Sequence, residues 1–386
     1  MRILVAHNHY QQVGGEDSVF ANEVALLSGA GHTVDTLEVD NDRIGNDLPR
    51  YRVAAGATYS LRGRSLAAKA IARFKPDIVH VHNPFPLLSP SVFHACARAG
   101  VPAVWTMHNF RIACAQGLLF REGEHCVLCV GKPPLPAIFH RCYRGSFAGS
   151  AAVAAMIATH RLIGTWRRHV ARFIVLNEYG RDVAIRSGAP PERIVIKPNF
   201  SEELSGEDQP PSSRSGALYV GRLSPEKGTR TLMEAWQSLP DIPLTILGDG
   251  PERVEMENMA PPNVRFLGHR PKEDVMREMI RTRALILPST CFENFSVSLC
   301  EAMAAGTPAI ASRSGSIGEV VRHGYNGLLV PPGNAGDLAA TVADAFAHPC
   351  TLEQLGQGAR ETWEHRLSPK ANLAQLLTIY EEAMSA

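Results

Sequence analysis

Short apolar runs recur along the chain and are separated by longer stretches of mixed, helix-compatible composition. In the first half the runs fall at residues 3–6, 33–39, 78–82, 103–107, 173–176 and 194–196. Apolar runs of this length bounded by turn residues read as buried strands, and strands alternating with helical stretches predict parallel sheets wound with helices. A polar run follows at residues 202–216, with Pro210-Pro211-Ser212-Ser213 inside it, and reads as a linker or loose inter-domain loop. The pattern then restarts at Ala217-Leu218-Tyr219-Val220-Gly221-Arg222, with further strands at 244–247, 264–267, 285–287, 308–311 and 327–330. Two similar doubly wound α/β halves are the expectation, without sequence repeat or low-complexity tract.

Composition agrees with that division. A chain of 386 residues, 45% hydrophobic and 20% charged, exceeds one ordinary core and suits two domains. The opening Met1-Arg2-Ile3-Leu4-Val5-Ala6 enters a strand directly and lacks the charged, apolar and small-residue progression of a signal peptide. Apolar stretches such as 151–158 fall short of the ~20 residues needed to span a bilayer. The expected location is the cytoplasm, or the inner face of the plasma membrane.

A net charge of +1 conceals a polarity. Residues 1–197 hold 23 Lys and Arg against 14 Asp and Glu, and residues 198–386 hold 16 against 24, so the halves differ in sign at +9 and −8. Residues 125–177 contain no acid but carry Lys132, Arg141, Arg144, Arg161, Arg167, Arg168 and Arg172; residues 48–76 are likewise acid-free and basic. Such a surface suits an anionic partner, either a membrane or a phosphorylated acceptor, or is simply a solvated basic face. Residues 151–173 alternate apolar stretches with four of these arginines, as an amphipathic interfacial helix or a core helix with a basic edge would. Nucleic acid is not expected, since no known binding module or interleaved aromatic set accompanies the charge.

Chemistry concentrates at the strand ends of the second half. Glu293 follows the apolar run Ala284-Leu285-Ile286-Leu287-Pro288, and Glu301 lies eight positions on, inside a small-residue helical stretch. Loops after parallel strands carry ligands, and the first N–H groups of the following helix can hold a diphosphate. Asn294, Phe295, Ser296 and Leu299 lie between the two carboxylates. Upstream, Val220-Gly221-Arg222-Leu223-Ser224-Pro225-Glu226-Lys227-Gly228 places two cations at another strand end, where they can neutralise a departing diphosphate. In the first half, Gly14-Gly15 precede Glu16, and His108 ends the run 104–107; His82 ends another strand and is a candidate for the acceptor side.

Taken in order, these motifs resemble a retaining family-4 glycosyltransferase of the GT-B fold, across nearly the whole chain. The resemblance implies two Rossmann-like domains facing a central cleft: residues 1–197 on the acceptor side, 198–365 on the nucleotide-sugar donor side, and 366–386 as a terminal helix packing back on the first domain. It implies His108 and Glu293 as catalytic residues, with Gly14, Gly15, Gly221, Arg222, Lys227, Asn294, Phe295, Ser296, Leu299 and Glu301 binding the donor. The implied activity moves a sugar from a UDP- or GDP-linked donor to a hydroxyl of a sugar or lipid-linked acceptor, with retention and without a catalytic metal, in cell-surface polysaccharide or glycolipid assembly. A non-catalytic sugar-nucleotide-binding subunit and a nucleotide-sugar epimerase on the same fold are the alternatives. A dehydrogenase is disfavoured, because the loop after the first strand reads His7-Asn8-His9-Tyr10 and lacks Gly-x-Gly-x-x-Gly.

Four of the eight cysteines stand apart as Cys114-x11-Cys126-x2-Cys129-x12-Cys142. A Cys-x2-Cys step with two flanking thiols is the spacing of a structural zinc site, while buried cysteine is also an ordinary packing residue.

Overall fold

The computed structural model describes residues 1–11, 14–203 and 213–385. Two compact units emerge: residues 1–121, 126–198 and 373–386 form one, and residues 122–125 and 199–372 form the other. Most of the expected polar linker, residues 204–212, lies outside the described residues.

The strands of the first unit are β1 (Arg2–His9), β2 (Thr33–Asp40), β3 (Ile78–Asn83) and β4 (Ala103–Thr106), followed after a long excursion by β7 (Arg172–Val175) and β8 (Ile194–Ile196). Within the excursion, β5 (Phe120–Arg121) and β6 (Glu124–His125) form a two-stranded ladder of their own. The main sheet is parallel and ordered β2-β1-β3-β4-β7-β8. Its strands are apolar because both faces are covered. Ile3, Val5, Ile78, Val104 and Ile174 pack with Leu376, Ile379, Tyr380 and Ala383 of the terminal helix Pro369–Met384. The Tyr380 hydroxyl is 2.8 Å from His80 Nδ1, which fixes that helix to the buried middle of β3.

The second unit contains β9 (Ala217–Val220), β10 (Leu244–Leu247), β11 (Val264–Gly268), β12 (Ala284–Leu287), β13 (Ala309–Ser312) and β14 (Gly327–Val330), all paired in parallel in the order β11-β10-β9-β12-β13-β14. Counted within the unit this is the Rossmann order 3-2-1-4-5-6. Its switch point lies between β9 and β12, where connections leave the sheet in opposite directions and a crevice opens at the strand ends.

The loops after β9 and β12 are clipped together at that switch point. The Glu226 carbonyl accepts from the N–H groups of Thr290 (3.1 Å) and Cys291 (3.2 Å). Gly228 adopts φ +70°, and a Cβ there would collide with the Pro288 carbonyl oxygen. Only glycine meets both demands.

Residues 151–173 do not form one amphipathic interfacial helix. Helix Phe147–Leu162 ends before Gly164, which is left-handed at φ +68°; a short helix Thr165–His169 follows, and β7 begins at Arg172. Val153, Ala154, Met156 and Ile157 are buried, so the apolar face of the first helix is spent on the core. The arginines are a basic edge of packed elements.

Replacing Gly228 with Ala should destabilise the protein by about 2 kcal/mol or more, combining the left-handed backbone cost with displacement of Pro288. Chemical denaturation would show a lower midpoint at unchanged m, and an unaltered midpoint would contradict the close approach.

Candidate functional site

In the second unit the candidate residues assemble on the two clipped loops. Lys227 Nζ lies 2.6 Å from Glu293 Oε1, and the Ser289 hydroxyl donates to the same oxygen at 2.7 Å. Glu293 is 7% exposed, so its charge is held by these two donors rather than by bulk water. Burial alone would lower the pKa of the Lys227 ammonium, but the Glu293 carboxylate beside it raises it above its ordinary value. The Glu293 main chain is fixed as well, since its carbonyl accepts from Ser316 N–H at 2.8 Å. The motif reading assigned Lys227 and Glu293 to separate parts of a ligand. In this structure they are partners, so a ligand that engages either one must share or replace that ion pair.

Arg222 is exposed at the mouth of the loop after β9, and its carbonyl accepts from the buried Tyr219 hydroxyl at 2.8 Å. The main chain is therefore fixed while the guanidinium remains solvent-accessible. Gly221 continues β9, with its N–H donating to Leu247 O at 3.0 Å.

After Phe292 and Glu293 the chain passes Asn294 and Phe295 and enters helix Val297–Ala304, capped by Ser296, whose hydroxyl accepts from Leu299 N–H at 3.3 Å. The Leu299 side chain is buried with Leu218, Leu285 and Leu287, and Phe295 packs against the same cluster. Leu299 is thus a packing residue, and any ligand contact at that position falls to the main chain. Glu301 lies within the helix, and burial pushes its carboxyl up to about 7 against the opposing pull of Lys272.

In the first unit, His108 lies just beyond β4. Its Nε2 is 2.9 Å from His82 Nδ1, and the rings are stacked. Burial lowers the His108 pKa to about 3, with His7 and Lys197 adding to the effect, so the imidazole is neutral at physiological pH. It can share hydrogen bonds but carries no charge. His82, expected to face an acceptor, is instead 1% exposed and sits behind His108, with Nε2 3.9 Å from the buried carboxylate of Glu23. Lys197 is also 3.9 Å from Glu23, making a buried charged centre beneath the strand ends.

Gly14 caps helix Gly15–Gly29. Asp17 ties the start of this helix to β1, its carboxylate accepting from Gly14 N–H (2.9 Å) and from His7 Nε2 (3.0 Å). Among the described residues, nothing would stand within 4 Å of a Cβ at Gly14.

A cluster that the motif reading did not identify surrounds Glu16. Tyr10 donates its hydroxyl to Glu16 at 2.8 Å; Asn109 Nδ2 lies 3.3 Å from Glu16 and 3.1 Å from the Tyr10 oxygen; Arg111 reaches that oxygen at 3.4 Å. Burial pushes the Glu16 carboxyl up to about 7 although these neighbours lower it. The available signal was Glu16 directly after the glycine pair and Asn109 directly after His108.

The four cysteines Cys114, Cys126, Cys129 and Cys142 line one pocket of the first unit. Burial and their mutual proximity raise the thiol pKa values of Cys129 and of Cys142, the latter to about 11. Among the described residues, the sets of three potential ligands whose donor atoms all lie within 4.8 Å of one another are His7–His9–Asp17 and Glu23–His80–His82. The cysteine sulfurs therefore stand wider apart around their pocket.

Residues 14–199 match the glycosyl transferase 4-like domain, and residues 200–362 match the glycosyl transferases group 1 family. An uncharacterized glycosyltransferase of Methanocaldococcus jannaschii is 30% identical over 169 residues, which is 43% of this chain and 47% of that protein. The glycogen synthase of Mycobacterium tuberculosis is 32% identical over 331 residues, 82% of this chain and 72% of that enzyme. Among solved structures, Anabaena HepE in complex with UDP and glucose superposes with a TM-score of 0.68 at 18% identity, covering 99% of this chain and 100% of that one. With two parallel-sheet units of the GT-B type and both halves matched, the chain belongs to the group 1 glycosyl transferases.

Proposed function

We propose that the protein is a retaining, metal-independent glycosyltransferase that moves a hexosyl group from a UDP- or GDP-linked donor to a hydroxyl of a sugar or lipid-linked acceptor in cell-surface polysaccharide or glycolipid assembly. The observation that carries this reading is the Lys227–Glu293 pair at the switch point of the second sheet, 2.6 Å apart, with the capped helix of Glu301 beginning directly after it.

The second unit is the donor side. Glu301 accepts from the ribose hydroxyls, and the diphosphate lies toward Arg222, Lys227, the main chain at Gly221 and the N–H groups at the start of helix Val297–Ala304. Asn294, Phe295 and Ser296 line its approach, with Gly14 and Gly15 offering main chain from the first unit, which is the acceptor side. As the sugar–phosphate bond breaks, negative charge grows on the diphosphate. The two cations stabilise that charge directly, and this is the role a divalent ion would otherwise fill. Glu293, released from part of its contact with Lys227, holds the sugar hydroxyls and favours the oxocarbenium-like state. Neutral His108 hydrogen-bonds to the donor sugar. The acceptor attacks from the face the diphosphate leaves, and a departing phosphate oxygen takes its proton, so configuration is retained without a covalent enzyme intermediate. Zinc at the four cysteines would be structural and outside this chemistry.

Cytoplasmic placement, with peripheral attachment to an anionic inner membrane face, fits the first unit. No helix among the described residues is long and apolar enough to cross a membrane. Leu135, Phe139, Phe147 and Leu162 are nevertheless well exposed, in a stretch of chain that also carries Lys132, Arg141, Arg144 and Arg161.

Incubation with UDP- and GDP-sugars, with anomeric configuration read by NMR, tests the reading; inversion or no turnover with any donor would reject it. Arg222→Ala should lower kcat by about 10²–10³-fold with the fold intact, and a chelator should leave initial rates unchanged. Glu293→Ala should act mainly on kcat and Glu301→Ala mainly on donor KM, and the reverse pattern would exchange their roles.

The Glu301 carboxyl also sets a pH dependence. Its pKa near 7 in the folded chain exceeds that of the unfolded chain, so the folded state binds the extra proton between the ordinary carboxylate range and about 7, and this group's contribution to stability falls as pH rises through that window. Donor affinity moves oppositely, because the ionised form accepts from both ribose hydroxyls. Donor KM should fall as pH rises through about 7, and Glu301→Gln should remove the difference while the nucleotide's own titration remains in both proteins.

Vesicle co-sedimentation tests the attachment: binding to anionic but not neutral vesicles, weakening with salt, is expected. Replacing Phe139 and Phe147 with Ser should reduce it, and equal binding to neutral vesicles would refute the electrostatic part.

A further inference from the structure

The chain between β4 and helix Phe147–Leu162 is an unusual segment. Residues 107–146 contain only the two-residue strands β5 and β6 and the short helix Leu135–Phe139 as regular elements. An excursion this long needs something to hold it. It is also strained: of the six non-glycine residues at positive φ among the described residues, Leu119, Glu122, Arg141 and Arg144 all lie here. A left-handed non-glycine residue disfavours the fold, and such conformations persist where other contacts over-determine them.

All four cysteines of the segment converge on one pocket, although Cys114 and Cys142 are far apart in sequence. Two cationic side chains flank them. Arg121 lines the same pocket, and Arg161 reaches it through Lys132, whose N–H donates to the Cys129 carbonyl at 3.3 Å. Arg161 donates through Nη1 to the Lys132 carbonyl at 2.7 Å, while its buried Nε and Nη2 have no hydrogen-bond partner. Two buried guanidinium nitrogens without partners beside a group of neutral thiols are costly; beside anionic sulfur they supply a counter-charge.

We propose that Cys114, Cys126, Cys129 and Cys142 bind one Zn²⁺ as four thiolates, and that Arg161 supplies the second-shell charge that stabilises it. Four S–H groups lose their protons to solvent and four S–Zn bonds form, leaving a centre of net charge −2, which Arg161 and Arg121 offset. Binding requires the sulfurs, which stand wider than a tetrahedral site in this structure, to close on the ion.

The site also braces the first-unit cluster. Gly117 N–H donates to the Cys114 carbonyl (3.0 Å), and Phe110 N–H donates to the Gly117 carbonyl (2.9 Å). Gly117 has φ +87°, and a Cβ there would stand 3.3 Å from Arg111 Nη2 and 3.6 Å from Asn109 Oδ1. Tethering Cys114 therefore fixes the turn on which Asn109 and Arg111 rest as they reach Tyr10 and Glu16. The metal assignment stands independently of the transfer reaction; only its effect on activity rests on the proposed function.

The test uses the full chain, purified reduced. Elemental analysis should give one zinc per chain, and Co²⁺ exchanged into it should show the intense ligand-field and thiolate-to-metal bands of a tetrahedral all-sulfur site. Arg161→Leu should weaken zinc retention against a chelator about 10–100-fold, with Arg161→Lys recovering part of it. Stripping the wild-type metal should lower Tm and raise acceptor KM while UDP binding, measured directly, is retained. Absence of zinc after reconstitution, a Co²⁺ spectrum without thiolate bands, or unchanged retention in Arg161→Leu would overturn the proposal. Zinc bound as expected in a protein that fails to bind UDP would leave the metal site standing and count against the donor reading alone.

Discussion

The chemistry of the second unit depends on one clip between two loops. β9 and β12 are neighbours in the sheet but distant in sequence, and the Glu226 carbonyl joins the loops that follow them by accepting from Thr290 and Cys291. That contact requires Gly228 against Pro288, and it brings Lys227 to Glu293. A parallel sheet gives every strand end the same direction, but only at the switch point do adjacent connections diverge and leave room for a ligand. The carboxylate and the ammonium thus meet because the backbone has already been joined beneath them. Their pairing keeps two desolvated charges compatible with a folded chain before any ligand arrives.

The first unit handles buried charge differently. Glu23, Lys197, His80 and His82 lie under the strand ends at contacts of 3.5–3.9 Å, and His108 leans on His82 above them. Burial keeps the histidines neutral and raises the Glu23 carboxyl, with Lys197 opposing. This gives His108 a fixed, uncharged ring at the surface of a polar core.

Most strand positions were legible in the sequence to within a residue or two, because a strand covered on both faces must be apolar throughout; residues 194–196, 244–247 and 327–330 match without adjustment, while β1 runs to His9, three residues past the expected end. The tiny ladder of β5 and β6 was invisible, since two-residue strands leave no period to detect. Site residues at strand ends were legible as types but not as partners. Lys227 and Glu293 are separated by 66 positions and pair only through the sheet order, and Glu16, Tyr10, Asn109 and Arg111 likewise form a cluster that no local spacing encodes. Leu299, which the family resemblance placed among the donor-binding residues, is turned by helical geometry so that its side chain packs in the core. Of the two readings of the basic stretch 151–173, the structure selects packed elements with a basic edge over an interfacial helix, and Gly164 divides the stretch between two helices.

Charge asymmetry between the halves then acquires a structural meaning. The second unit carries the excess of acid although it holds the cations proposed for the donor, so its positive charge is local: Arg222 and Lys227 act at one crevice against an otherwise acidic background. The first unit spreads its positive charge over segments 48–76 and 125–177, and the second of these overlaps the stretch 107–146 in which Leu119, Glu122, Arg141 and Arg144 take left-handed conformations. A segment rich in mutually repelling arginines and left-handed residues gains little from local propensity, so its conformation must be imposed from outside the local sequence. The four convergent cysteines are the feature of that segment able to impose it, since thiolates bound to a dication would convert the surrounding arginines from a source of repulsion into part of the centre's charge balance.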